Sequence, residues 1–368
     1  MLRHFLLLLP FFFLSIKAAF VHPGALHTAN DFKRITGYVN AKTTPWYTDW
    51  ELLLNSSYAQ STYKSQAVSA IYRGSDGVHA ENYNLLYEDA AAMYQLALRW
   101  KISGDSTYGK AAVSLLNSWG STLKVIGGDP NQWLATGLYG YQLANAAEIM
   151  RGYSGWASAD FSTFQNMMEN VFAAQNQYFL ATHNGSANIP YANWDLCNMA
   201  SMLAIGILND NATKFDWVVN YFYNGWGHGA VGNSTNFIIA NFTESGSSKI
   251  LSQGQEAGRD QGHATLDFTL AGVLAQQAYN QGTDLFAAVG NAFLNGYVCH
   301  PAMHPRSYCH AHKVVGPNTS PNITLDMMYH THHTLATKVT RRSSPVPHVE
   351  MLVLDMSFYM LITTTLRV

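Results

Sequence analysis

Charged residues are scarce in this sequence, and the shortage is shared almost evenly by the two signs. They make up 12% of the 368 residues, about half the share of an average globular protein. Lys and Arg number 21 against 23 Asp and Glu, and no basic run occurs. Because a nucleic-acid-binding protein needs a basic surface, we expect no nucleic acid partner.

Cysteine is almost absent as well. The three cysteines allow one disulfide at most. Cys197 lies in an apolar helical stretch, where we expect a buried thiol. Cys299 and Cys309 are the more favourable pair for a disulfide in an oxidising compartment. No HExxH or CxxC spacing occurs, so we expect no metal site.

Long apolar runs are missing, apart from a short one over residues 5–16. That run is shorter than the ~20 residues of a membrane span, and the basic residue before it and the alanines after it are typical of a secretory signal peptide. We therefore expect a signal peptide over residues 1–19, an extracellular protein and no membrane association. Export would fit the seven Asn-X-Ser/Thr sequons, at Asn55, Asn184, Asn211, Asn233, Asn241, Asn318 and Asn322.

What the sequence does contain is repeated helical periodicity, broken by Gly and Asn. The predicted helices are 87–101, 110–119, 138–151, 160–180, 194–208, 216–224 and 261–279, with residues 237–242 as a short strand or loop. Helices of this length without heptads favour an all-α fold, an (α/α) toroid or incomplete barrel of helical hairpins, over a coiled coil. We expect one toroid domain over residues 20–298 and a divergent C-terminal tail over 299–368 that completes it or packs on it.

A polar stretch before the last predicted helix is the first candidate site. Arg259 and His263 are four residues apart, so on a helix they would share a face. An arginine beside a histidine can bind a carboxylate and hold the imidazole for proton transfer. Gln255 lies in the same stretch, and Asp260 has the residue type of a helix N-cap. The alternative is a loop that caps the helix and makes structural ion pairs.

A second candidate stretch runs from His183 to the helix predicted at 194–208. Tyr191 and Trp194 offer flat faces for stacking on sugars, and the Asn193 amide can donate to a carboxylate without adding charge. The alternative is a capped helix start, with Asn193 as the N-cap and Trp194 in the core.

A third stretch, 325–333, places Tyr329 beside several histidines. A tyrosine with a neighbouring histidine can act as a proton donor or base. The alternative is a metal site formed by the His-rich segment 300–333, which holds seven of the fifteen histidines.

These stretches resemble the alginate-lyase-like family of polysaccharide lyases, in a fungal secreted branch. The matching words stand in the family's order at residues 22–28, 94–105, 137–142, 145–149, 193–199 and 258–263. The resemblance covers about residues 22–298. It implies a toroid that cleaves a uronic-acid polysaccharide, of glucuronan or alginate type, by β-elimination without a cofactor. The expected partner is therefore an anionic polysaccharide, and we expect a monomer.

The resemblance also implies roles for particular residues. Asn193 matches the group that neutralises the uronate carboxylate, while His263 and Tyr329 match the groups that exchange protons with the sugar. The expected substrate-binding residues are Arg259, Gln255, His183, Tyr191, Trp194 and Tyr139.

Two other functions stay open. A glycoside hydrolase on the same type of toroid would use two carboxylates about 5–10 Å apart. Its candidates are Glu148, Asp195, Glu256 and Asp260. The second is a non-catalytic descendant that binds acidic glycans, because Asn322 and Ile323 stand where relatives usually carry an arginine before the tyrosine.

Overall fold

The computed structural model describes residues 19–185, 192–231, 238–243, 248, 250–257, 259, 261–288 and 290. Helices dominate this part of the chain. They are α1 Ala29–Asn40, α2 Trp46–Asn55, α3 Asn84–Ser103, α4 Ser106–Thr122, α5 Gln132–Met150, α6 Ser158–Met167, α7 Ala174–Thr182, α8 Ala192–Leu208, α9 Ala212–Asn224 and α10 Gln261–Tyr279. The strands are β1 Ala70–Arg73, β2 Val125–Gly128, β3 Ile238–Thr243 and β4 Ile250–Gly254.

Helices α3, α5, α8 and α10 form the inner layer, each packed against the next. Their sequences are apolar or small on nearly every side, as expected of helices surrounded by protein. Within α8, Trp194 alone is not buried. Within α5, only Gln132, Leu134 and Leu138 escape burial.

Small residues let α5 and α8 approach closely. A Cβ on Gly137 would lie 2.2 Å from Cys197 Sγ, and one on Gly140 would lie 2.1 Å from Ser201 Oγ. Because both contacts advance along both helices together, α5 and α8 run parallel. Their N-terminal ends therefore lie at the same end of the toroid.

The outer helices α4 and α9 each have one apolar face and begin after a residue whose side chain caps the helix. Helix α4 follows an Asp105 side chain that accepts from the Thr107 N–H at 2.8 Å. Helix α9 follows Asn211, whose side chain accepts from the Lys214 N–H at 2.9 Å. The helix predicted over 160–180 is one outer rod, in which a π-helical segment, Met168–Ala173, joins α6 to α7.

Two small sheets lie outside the helical layers. Strands β1 and β2 pair in parallel, with Arg73 opposite Gly128 at one end. Strands β3 and β4 form an antiparallel pair in which Thr243 faces Ile250. The short strand predicted near 237–242 is therefore β3, whereas periodicity gave no sign of β1 and β2.

An N-terminal strap, residues 21–26, ties the two ends of the described toroid together. The backbone N–H of Val21 donates to Gln281 Oε1 at 2.9 Å, and Asn280 Nδ2 donates to the Ala25 carbonyl at 2.6 Å. The Leu26 N–H donates to Asn145 Oδ1 of α5 at 2.8 Å. The strap therefore links the residues that follow α10 to helix α5.

The predicted all-α toroid is confirmed, and each of the seven predicted helices is present. Helices α1 and α2 are additional. Cys197 is a fully buried free thiol, as expected. None of the helices in the described residues is long and apolar enough to span a membrane. The signal segment, the boundary at residue 298 and the Cys299–Cys309 pair lie outside the described residues.

Candidate active site

The N-terminal halves of the inner helices lie side by side at one end of the toroid. The rings of Tyr87 in α3 and Tyr139 in α5 are 6.2 Å apart. The backbone N–H of Asn193 in α8 faces the Asp267 carboxyl of α10. Helix N-termini carry partial positive charge, so this end favours an anionic ligand.

Asn193 is the second residue of α8 and is 2% exposed. The interpretation of Asn193 as an N-cap is therefore wrong, because an N-cap precedes the helix. Its side-chain amide has no hydrogen-bond partner within the described part of the chain. A buried amide normally finds a protein partner, so this one is available to a ligand.

Arg73 stands at the end of β1 and its side chain reaches Tyr139 in the N-terminal half of α5. Its Nη1 lies 3.2 Å from the Tyr139 hydroxyl oxygen. The guanidinium carbon lies 5.0 Å from the Tyr83 ring centre and 5.9 Å from that of Tyr139. The charge is also close enough to act on the Cys197 thiol of α8.

No carboxylate pairs with Arg73 among the described residues, although the side chain is half-buried. A half-buried guanidinium has five donors, and one hydrogen bond and two aromatic faces leave several of them unused. Sequence reasoning missed Arg73. The residues around Arg73 in the sequence form no recognisable motif. Arg73 reaches the helices only because β1 pairs with β2, a contact between distant parts of the chain.

Tyr139 is buried, and burial raises the pKa of its phenol, with the Arg73 charge opposing the shift. The hydroxyl therefore stays protonated at neutral pH. In this structure Tyr139 contacts Arg73 directly, so it can hold the guanidinium in place whether or not it also touches a ligand.

The turn after β4 joins the two predicted stretches. Gln255 Oε1 accepts from the backbone N–H of Ala192 at 2.9 Å, and Gln255 Nε2 lies 2.6 Å from His228 Nδ1. Arg259 Nη1 lies 3.4 Å from Glu256 Oε1 at the surface. His263 is half-buried in the first turn of α10. The stretches around residues 193 and 255–263 thus form one site at the start of α8.

Asp267 lies one turn after His263 and is fully buried. Burial, with the nearby Glu256 carboxylate, raises its pKa to about 8. The N–H groups of Glu256 and Asn193 oppose this rise, but no partner among the described residues reaches hydrogen-bond geometry with either oxygen. Asp267 is therefore a neutral acid at pH 7. Its one sequence signal is a single acidic residue within an apolar helix.

His183 is buried beneath the site instead of lining its surface. Its Nε2 lies 2.7 Å from Asp195 Oδ1 and 3.3 Å from the Tyr221 hydroxyl. We expected His183 to bind substrate directly. The ring is instead buried and paired with Asp195 in the first turn of α8, and a direct contact of His183 with substrate stays a prediction.

Comparison with known proteins shows the family of this chain. A sequence model described as alginate lyase matches residues 44–237, which is more than half of the chain. The chain belongs to the alginate lyase family. The expected polysaccharide lyase activity is thereby confirmed at the level of enzyme class. No curated protein matches the sequence significantly.

Solved structures of alginate lyases share the fold at low identity. A variant of alginate lyase A1-III complexed with tetrasaccharide has a TM-score of 0.54 and 15% identity, over 76% of this chain and 77% of that one. An alginate lyase from Bacteroides ovatus has a TM-score of 0.53 and 12% identity, over 90% and 99%. Alginate lyase A1-III from Sphingomonas species A1 has a TM-score of 0.51 and 16% identity, over 73% and 74%.

Among the described residues of this alginate lyase family member, each candidate carboxylate of a hydrolase has a basic partner. Glu256 pairs with Arg259 and lies near enough to Asp267 to help raise the pKa of that carboxyl. Glu148 contacts His22 and Arg151 towards the C-terminal end of α5. Asp195 pairs with His183. Within the same residues, no group of three His, Cys, Asp or Glu side chains is arranged to hold a metal ion.

Several predicted residues lie outside the described part of this lyase. They are Tyr191, Asp260 and Tyr329, together with the histidines of segment 300–333. Their predicted roles stay predictions. Trp194 lies at the site with its ring half-buried, between the exposed end of the toroid and the core.

Proposed function

We propose that this lyase cleaves a uronic-acid polysaccharide of glucuronan or alginate type by β-elimination. One observation carries the proposal. Two groups suited to a carboxylate, the Asn193 amide and the Arg73 guanidinium, lie at the same end of the inner helices, and no carboxylate of the described residues pairs with either. The similar solved structures are named alginate lyases, and one of them holds a tetrasaccharide.

The first requirement of β-elimination is to make the C5 proton acidic. A hydrogen-bond donor on the C6 carboxylate withdraws its charge and stabilises the enolate-like intermediate. The Asn193 amide is the donor in this proposal, and the N-terminal end of α8 adds its dipole. Arg73 binds the same carboxylate or that of the neighbouring sugar.

The second requirement is to move two protons. A base takes the proton from C5, the C4–O bond breaks, and a C4–C5 double bond forms. The departing oxygen takes up a proton from an acid. His263, in the first turn of α10, is the proposed base among the described residues. Tyr329 keeps the role of acid or second base that the family resemblance implies.

The substrate is held by groups around the same helix start. Trp194 offers an aromatic face, and Gln255 and Arg259 lie on the adjoining turn. Among the described residues of the site, Asp195 is paired with His183, Glu256 is paired with Arg259, and the raised pKa of Asp267 keeps it neutral. An anionic chain would therefore meet little repulsion.

Secretion is part of the proposal. Of the sequon asparagines in the described residues, Asn55, Asn184 and Asn241 are exposed and accessible to glycosylation. The N-terminal sequence of protein recovered from the medium of a eukaryotic host is expected to begin after Ala18 or Ala19. Intact Met1 on cell-retained protein would contradict it.

The test of the site is Asn193→Ala, measured as unsaturated product per folded molecule. Loss of the carboxylate donor is expected to lower kcat/KM by roughly 10²- to 10³-fold. The thermal midpoint is expected to move little, because the amide has no hydrogen-bond partner to lose among the residues that the structure describes.

Asn176→Ala is the matched control. The Asn176 amide donates to Asn198 at 2.7 Å and accepts from Ser201 at 2.8 Å, so its loss leaves buried groups unpaired. That costs about 1–3 kcal/mol of stability. Activity per folded molecule is expected to survive. Equal activity of the Asn193 variant and the wild type would remove Asn193 from the mechanism.

A further inference from the structure

The turn after α9 presents a tryptophan at the surface beside the candidate site. Trp226 is 42% exposed, which is unusual for the largest aromatic side chain. Its ring centre lies 4.2 Å from that of His183. His183 therefore supports the indole from within the protein, and the side chain as a whole keeps 42% of its surface exposed.

The turn that carries Trp226 is fixed against the first turn of α8. The Gly229 N–H donates to Asp195 Oδ2 at 2.9 Å. A Cβ on Gly227 would lie 1.9 Å from Asp195 Oδ2, and one on Gly229 would lie 2.5 Å from Asp195 Cβ. Only glycine permits this contact, so the turn cannot sit here with other residues at those positions.

The support behind the indole is equally fixed. His183 is held by Asp195 at 2.7 Å, and the Tyr221 hydroxyl lies 3.3 Å from the same nitrogen. Burial, reinforced by the Asp195 carboxylate, raises the pKa of Tyr221, so its hydroxyl keeps its proton. The hydrogen-bonded cluster of His183, Asp195 and Tyr221 therefore fixes the position of the Trp226 indole.

A row of rings connects this tryptophan to the candidate site. Phe179 lies 4.9 Å from His183 and 6.1 Å from Trp194, measured between ring centres. Trp194 follows Asn193 directly. The indoles of Trp226 and Trp194 are therefore connected through two intervening rings, those of His183 and Phe179.

We propose that Trp226 forms a sugar-binding subsite that stacks on a pyranose ring of the bound polysaccharide outside the pair of sugars that is cleaved. This inference rests on the proposed function of the site. The apolar C–H face of a pyranose fits the flat indole, and the sugar's carboxylate projects from the ring edge into water. The subsite would therefore contribute affinity for the chain without any additional charge.

Chain length is the variable that tests this subsite. We would measure kcat/KM on uronan oligosaccharides of increasing length, for the wild type, Trp226→Ala and Trp226→Phe. Trp226→Ala is expected to lose roughly tenfold on long oligosaccharides and on polymer, and nothing on the shortest chain that is cleaved. Trp226→Phe, which keeps a flat ring, is expected to recover most of the loss.

Tyr279→Ala is the matched control, because Tyr279 is also 42% exposed but lies at the C-terminal end of α10. It is expected to behave as the wild type at every length. An equal loss at all lengths with Trp226→Ala would overturn the subsite, and so would no loss at any length.

Affinity electrophoresis in gels containing glucuronan or alginate separates this inference from the proposed reaction. If the wild type forms no unsaturated product, the proposed function fails, but retardation of the wild type and not of Trp226→Ala would still support the subsite. Equal retardation of the two proteins would contradict it.

Discussion

Arg73 has several hydrogen-bond donors that the described residues leave unused, and a bound ligand would explain them. Its guanidinium is half-buried, stacked between Tyr83 and Tyr139, and held by one tyrosine hydroxyl. Two aromatic faces orient a cation without neutralising it. A carboxylate of the substrate would complete its set of hydrogen bonds.

Replacing this arginine should weaken substrate binding more than it slows chemistry. Arg73→Ala is expected to raise KM by roughly tenfold to a hundredfold, the range of a lost charge-assisted hydrogen bond, with a smaller change in kcat. Steady-state kinetics on the cleaved polymer measures both constants. Arg34→Ala is the control, since Arg34 pairs with Asp31 on α1. An unchanged KM for Arg73→Ala would show that the guanidinium is structural.

The raised pKa of Asp267 predicts how the stability of the protein depends on pH. Burial raises its pKa to about 8 in the folded protein, against roughly 3.9 in an unfolded chain. The folded state therefore holds a proton that the unfolded state releases, and stability falls as pH rises from about 4 to about 8. Asp267→Asn cannot titrate, so its free energy of unfolding relative to the wild type is expected to increase across that range.

Asp89→Asn is the control for this measurement. Asp89 is also fully buried, but it accepts hydrogen bonds from Trp119 Nε1 at 2.6 Å and the Gln66 N–H at 2.7 Å. An amide nitrogen would face these donors, so the variant should be destabilised. Denaturant unfolding at several pH values compares the two. A constant difference between Asp267→Asn and the wild type would contradict the raised pKa.

At the scale of elements, the inner helices could be predicted, but strands β1 and β2 could not. Helices α5, α8 and α10 are long, mostly apolar or small in sequence, and separated by clear breaks, so composition and length suffice to predict them. Helix α1 was within reach, because Thr28 and Asp31 form a capping box before Phe32, Ile35 and Val39. The four-residue strands β1 and β2 are too short to carry a pattern.

The candidate site likewise contains residues that local sequence indicates and residues that only distant contacts bring there. Asn193 and His263 stand beside helix starts, where local sequence marks a site. Arg73 reaches the site through a strand pairing, and Asp267 gains its raised pKa from burial and from Glu256. Contacts of that kind join distant parts of the chain, and no local pattern encodes them.

The N-terminal strap is an element whose stability should depend on pH. His22 contacts Glu148 and lies 2.9 Å from Asp210. Burial opposes protonation of the ring, but the two carboxylates outweigh burial and raise the pKa of His22. The stabilisation is therefore complete below about pH 6.5 and is lost as pH rises through the raised pKa.

His22→Gln tests the strap. Its thermal midpoint is expected to fall further below that of the wild type at about pH 5.5 than at about pH 9. His79→Gln is the control, because His79 pairs with Asp76 on an exposed turn and should contribute little. Thermal denaturation of the wild type and the two variants at both pH values measures these differences in thermal midpoint. An equal shift of the His22 variant at both values would refute the charged strap.

At the scale of the whole molecule, the toroid brings the N-terminal ends of its inner helices to one end. Partial positive charge, Arg73 and the Asn193 amide gather there, although the net charge of the chain is −2. A polyanion can thus be bound without a basic protein surface, because the attraction is local. The scarcity of charge in the sequence is consistent with such a site.

The most direct test of this account is to incubate the purified protein with glucuronan, polymannuronate and polyguluronate in parallel and to follow the ultraviolet absorbance of the C4–C5 double bond. We predict a steady rise on at least one polymer, which the Asn193→Ala variant reduces strongly. Folded wild-type protein that gives no rise on any of them, or that releases reducing ends without a double bond, would contradict β-elimination.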